Sequence, residues 1–299
     1  MPVEQTEQPK DRKSRRTAII VAVVVLAVVS GGLGTWFVLS RPAGVQRADV
    51  QRLDKQRAIV DNSMNLYDPL VQEFTAQYTN VVSVAVDGQE AEQVLQQQHD
   101  VLERESAANT GRLEAMAGSP ALQEAEVNDA VGRFRDKYGA VVAYNNQRLI
   151  NTANITRSVG GACGPLHRDL NIGSETYAKD YVRTADDCLA ALSDAKAGTD
   201  TETSTLLTAF EGVVRGQRDK QQEVLDAKDD FERAAKRTLA AIAMLDINDA
   251  LDKPRTEYES SVKQKSTTLV NEANESNANL ERVLKARLER FDAAGQEGK

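Results

Sequence analysis

The run Thr17–Leu39, TAIIVAVVVLAVVSGGLGTWFVL, has no charged side chain over 23 residues, and every other segment is read by the side of it on which it falls. At about 1.5 Å rise per residue, a helix of that length covers roughly 34 Å, enough to cross a hydrocarbon core of about 30 Å. Residues 17–39 are therefore expected to form a transmembrane helix. A cleaved signal peptide fits less well. The run is longer than the usual apolar region of about 7 to 15 residues, and Ser40-Arg41-Pro42-Ala43-Gly44 is a poor small-x-small cleavage site.

The flanks orient the anchor. Lys10, Arg12, Lys13, Arg15 and Arg16 precede it, whereas residues 40–54 hold only Arg41, Arg47 and Arg52. Positive charge stays on the cytoplasmic side, so the N-terminus is expected inside and residues 40–299 outside, in a single-pass cell-membrane protein. Trp36 and Phe37 then fall near the outer interface, where aromatic rings partition. Residues 1–16, polar with two prolines and no apolar period, read as a disordered basic tail in the cytoplasm.

Cys163 and Cys188 are the only cysteines, and both lie on the expected outer side, where an oxidising compartment lets a disulfide persist. A bridge between them is expected. On the chain-entropy account it contributes about 3 kcal/mol to stability.

The outer segment excludes some partners. Of 37 basic and 45 acidic residues, five and three precede the anchor, leaving 32 against 42, a net charge of −10. A phosphate backbone needs a basic face, so nucleic acid is not an expected partner. Aromatic residues make up only 5% of the chain, too few for a large compact core. An elongated assembly of helices fits better.

Apolar residues repeat at spacings of three and four. Val60, Met64, Tyr67, Val71, Phe74, Tyr78, Val81 and Ala85 form a first stripe, whose phase across Pro69 argues for one continuous kinked helix, while Asp68 before Pro69 also suits an N-cap and first-turn pair and so leaves a break there open. Leu95, His99, Leu102, Ser106, Asn109, Leu113 and Met116 form a second, whose polar members predict loose or wet packing. Val127, Val131, Phe134, Tyr138, Val142, Asn145 and Leu149 form the cleanest. Further stripes run from Tyr177 to Ala195, from Leu207 through Phe231, Ala235 and Ile242 to Leu245, and from Tyr258 to Phe291. Chain reversals are expected at 87–88, 118–120, 160–174, 198–200 and 252–254, from glycine, proline and capping residues. The fold class is all-α, with no strands: one transmembrane helix followed by an elongated antiparallel, coiled-coil-like helical bundle over residues 40–299.

Candidate sites are few. Ala27, Gly31 and Thr35 share one face of the membrane helix, and small residues at that spacing let two helices approach closely, although such residues are common in membrane helices. If that face mediates association, Gly31→Leu should weaken it, read as loss of cross-linked species in intact membranes. Cys163 lies four residues before His167, but a second cysteine explains it more simply than a nucleophile does. His99 on a polar seam could ligate a metal, yet the chain has one other histidine and no ligand-spaced motif. Asp186-Asp187 and Asp229-Asp230 diverge by about 100° on a helix and read as solvated faces rather than paired catalytic carboxylates. No phosphate-binding, dinucleotide, serine-hydrolase or zinc-protease motif occurs, so no catalytic residue, cofactor or metal is assigned and the chain is not expected to be an enzyme. The expectation is an extracytoplasmic helical interaction or scaffold protein that binds other envelope or surface proteins, or a second copy. The alternative is a small-molecule sensor module that signals through a membrane partner.

Overall fold

The computed structural model describes residues 44–79, 88–168, 174, 176–245 and 247–297. The membrane run, its Ala27, Gly31 and Thr35 face and the basic tail lie outside the described residues, as do Val81, Ala85 and the side chains of Tyr78, Leu95 and His167. Among the described residues there is no strand, and no helix is long and apolar enough to cross a membrane. The all-α expectation therefore holds for the described part.

Seven helices carry that part: α1 (Arg47–Thr79), α2 (Gly88–Met116), α3 (Ala125–Asn154), α4 (Tyr177–Lys196), α5 (Thr201–Leu225), α6 (Asp230–Leu245) and α7 (Ile247–Glu297). The apolar stripes explain the packing of the first three. Val60, Met64, Tyr67, Val71 and Phe74 on α1, Leu102, Leu113 and Met116 on α2, and Val127, Val131, Phe134, Tyr138, Val142 and Leu149 on α3 are buried against Ala273, Leu280 and Leu284 of α7. Cross-helix hydrogen bonds set the register. Asp61 with Tyr138 and Asp68 with Asn145 both pair residues 77 apart, so α1 and α3 are parallel. Arg47 meets Asp292, Arg57 meets Asn277 and Gln72 meets Ser266, so α7 runs antiparallel to α1. Ser63 with Asn109 and Ser106 with Asn146 place α2 antiparallel to both.

A second core follows along the same axis. Ile155, Val159, Cys163, Leu166, Tyr181, Cys188, Leu192, Leu207, Phe210 and Val214 pack with Leu251, near the start of α7. At 51 residues, α7 rises about 75 Å and so belongs to both cores. α5 is antiparallel to α4, through Lys196 with Glu211 and Arg218 with Asp186, and to α7, through Lys265 with Glu202.

Several boundaries differ from expectation. α1 does pass through Pro69. Ser119 and Pro120 open a 3-10 turn, Pro120–Gln123, and α3 starts only at Ala125. Gly160-Gly161 does not end the third helix. The chain continues through a π turn, Ile155–Val159, and the helical turns Gly160–Cys163 and Pro165–Arg168, because Ile155, Val159, Cys163 and Leu166 each gain a place in the second core. Pro254 does not interrupt either. It lies inside α7, where neighbouring buried residues Leu251 and Tyr258 hold the helix across the missing amide. An additional reversal falls at 226–229, between α5 and α6, without glycine or proline. Asp229 caps it by accepting from the Glu232 amide at 2.8 Å, and Glu232 accepts in return from the Lys228 amide at 2.9 Å.

Candidate functional site

Among the described residues there are one covalent feature, a buried polar seam and two runs of exposed apolar side chains, Ile59, Leu66 and Leu70 on α1 and Phe231, Leu239 and Ile242 on α6. The covalent feature is the expected bridge: Cys163 and Cys188 form a disulfide with Cα atoms 4.6 Å apart. Both are buried among Ile155, Leu192 and Phe210, so the pair ties the extension of α3 to the middle of α4 and leaves no thiol near the surface.

The polar members of the second stripe pack closely. Ser106 and Asn109 are buried and bonded to Asn146 and Ser63 on the adjacent helices, while Asn109 Nδ2 is buried without a partner, so the seam is only partly satisfied. Around Pro69 the seam deepens. Asp68 is 8% exposed, with Asn145 Nδ2 donating to one carboxylate oxygen at 3.0 Å and Gln72 Nε2 to the other at 2.6 Å. Two turns earlier on the same helix, Asp61 accepts from the Tyr138 hydroxyl, whose pKa is pushed upward first by burial and then by that carboxylate. Between the two cores, Asn151 donates to Asp200 at 2.9 Å, and Tyr144 lies under the Lys265 ammonium at 5.2 Å. Burial pushes the Tyr144 phenol up to about 12. Both tyrosines therefore act as neutral hydrogen-bonding groups at any physiological pH, not as acids or bases.

The remaining sequence candidates do not converge. His99 on α2 faces Phe74, with ring centroids 6.4 Å apart, and its ligand-capable nitrogen lies with Asp100 and Glu103 oxygens within 4.8 Å. All three come from one helix, and both carboxylates are exposed. Asp186 is engaged by Arg218 at 3.0 Å and Asp230 by Arg233 at 2.7 Å, which matches the reading of ordinary surface charge. Asp229 is instead the α6 cap described above.

The feature that the stripes misplaced is α6. Phe231, Ala235 and Ile242 were expected to continue inward from α5, but Phe231 is 87% exposed, Leu239 59% and Ile242 52%. Ala234, Ala235 and Thr238 complete the same outward face, while Ala240 meets Val224 and Ala178 on the inner side and the stems of Lys236 and Glu232 are half-buried. The reversal at 226–229 resets the helical phase, so a stripe read straight through it points the wrong way. No family model, curated protein or solved structure matches this chain. Functional assignment thus rests on the residues themselves.

Proposed function

We propose that the protein is a single-pass, membrane-anchored helical interaction protein whose outer domain docks another envelope protein through α6. The observation that carries this reading is the outward face of Phe231, Leu239 and Ile242 on a helix of 16 residues. A monomer does not ordinarily leave a helix turned apolar side out, and clustered exposed apolar side chains of this kind mark contact surfaces. The expected anchor and the extracytoplasmic side support the same reading.

The occupant is a protein with an apolar groove. α6 packs beside the second half of α5, at the opposite end of the molecule from Arg47, which meets α7 at Asp292, roughly 68 Å along that helix from its start. The face therefore stands away from the point where the chain would leave the bilayer. Three large apolar side chains cover less than the roughly 800 Å² per partner that a flat, stable dimer interface uses, whereas a helix laid in a groove also buries its flanks.

A photoreactive amino acid at Leu239, in the full chain in native membranes, should give a discrete protein adduct. The same group at Arg237, on the other face, should give little. Equal labelling from both positions, or adducts with lipid alone, would remove α6 as the docking helix.

A further inference from the structure

We infer that the cavity beside Pro69 binds a small primary ammonium ion through the Asp68 carboxylate. The cavity, of about 120 Å³, lies where α1, α3 and α7 meet and is lined by Met64, Asn65, Asp68, Tyr138, Val270 and Asn274, among others. Its chemistry is unbalanced. Asp68 is more than nine-tenths buried, yet its two hydrogen-bond donors are the neutral amides of Gln72 and Asn145, and it forms no ion pair among the described residues. An ionised carboxylate has about four acceptor positions, and burying one without an opposite charge is strongly unfavourable.

Two further acceptors belong to residues next to Asp68: Asn145, which bonds Asp68 from outside the cavity lining, and Asn65, which lines it. Asn145 Oδ1 is buried and receives no hydrogen bond. Pro69 has no amide hydrogen, so it cannot make the helical bond to the carbonyl of Asn65, one of the lining residues. The surroundings thus offer one negative charge and surplus acceptors, and what they lack is a cation with several N–H donors. An alkylammonium supplies a positive charge and three donors.

Other classes fit less well. An anion would be repelled by Asp68, an alcohol brings one donor and no charge, and a quaternary ammonium brings charge without donors. Calcium would want six to eight oxygen ligands, but Met64, Val141 and Val270 make much of this wall apolar. Those same residues suit a short alkyl tail. An engineered apolar cavity of about 150 Å³ holds benzene, so this one suits a ligand of about four to six non-hydrogen atoms. Binding here would join α1, α3 and α7 at the proline turn, a role separate from docking at α6.

The test uses the full chain in phosphatidylcholine nanodiscs, titrated with n-butylammonium chloride and followed by saturation-transfer NMR. n-Butanol and tetramethylammonium serve as matched probes. The expected result is saturable binding of n-butylammonium and not of the other two, weakened roughly tenfold or more by Asp68→Asn, as loss of a charged hydrogen bond implies. Ala273→Leu, which fills the cavity and leaves the carboxylate in place, should abolish it, and decides the matter if Asp68→Asn fails to fold. Absence of saturable binding to the parent chain would overturn the inference. So would equal binding by both variants, or equal uptake of tetramethylammonium, which would mean attraction to the acidic surface alone.

Discussion

Phe134→Ala is expected to lower the free energy of unfolding by about 3 to 5 kcal/mol, the range for deleting a fully buried aromatic ring. Phe134 is completely buried in the first core and stacks on Tyr138, with ring centroids 4.3 Å apart and planes 28° from parallel. Tyr138 in turn donates to Asp61 on α1, so the vacated space would loosen a ring that links α3 to α1. Helices held by stripes of this kind have little slack for collapse, because each side chain already fills the gap between facing helices. The measurement is urea denaturation followed by circular dichroism, beside Phe231→Ala. Phe231 is 87% exposed, so that control should change stability by less than about 0.5 kcal/mol. Comparable losses at both positions would mean that the face of α6 is covered, and the docking proposal would fall with it.

The second large effect is expected at the bridge. Replacing both Cys163 and Cys188 with serine should cost about 3 kcal/mol, because the bridge closes a 25-residue loop in the unfolded chain. Two hydroxyls would then occupy a site where both residues are buried among apolar neighbours, which adds to the loss. Reductant should destabilise the parent chain and leave the double variant unchanged. A parent chain indifferent to reductant would indicate free thiols, and with them the wrong side of the membrane for residues 40–299.

Where the stripes are long and uninterrupted, the sequence was a sufficient guide. All seven positions of Val127 through Leu149 are buried, and Val60 through Phe74 face the same core across a proline. The cysteine pair was legible for a different reason, since two thiols on the side expected to be oxidising have few other fates. The helix ends were less legible. Gly160-Gly161 and Pro254 are local breakers, but four buried side chains after Asn154 and two around Pro254 outweigh them, and propensity is a weak prior against burial. The opposite error came at 226–229. Its signal, Asp229 followed three residues later by Glu232, was present, but without glycine or proline it passed as charged surface.

Asp68 shows a different limit. Nothing in the neighbourhood of Asp68-Pro69 distinguishes a buried carboxylate from a helix cap, because its partners, Asn145 and Gln72, become neighbours only through the parallel register of α1 and α3 and the turn of α1 itself.

By itself the sequence determined that the described residues would be helical, which faces of the long helices were apolar and which cysteines would pair. These follow from local periodicity and composition, which act within a few turns. Tertiary structure alone decided where the helices stop, which acceptors at Asp68 lack a donor and which way α6 faces. A stripe states that a face is apolar, but not that an element exists to cover it. α5 and the first turn of α4 cover only the Ala240 side of α6, and its larger apolar face is left outward.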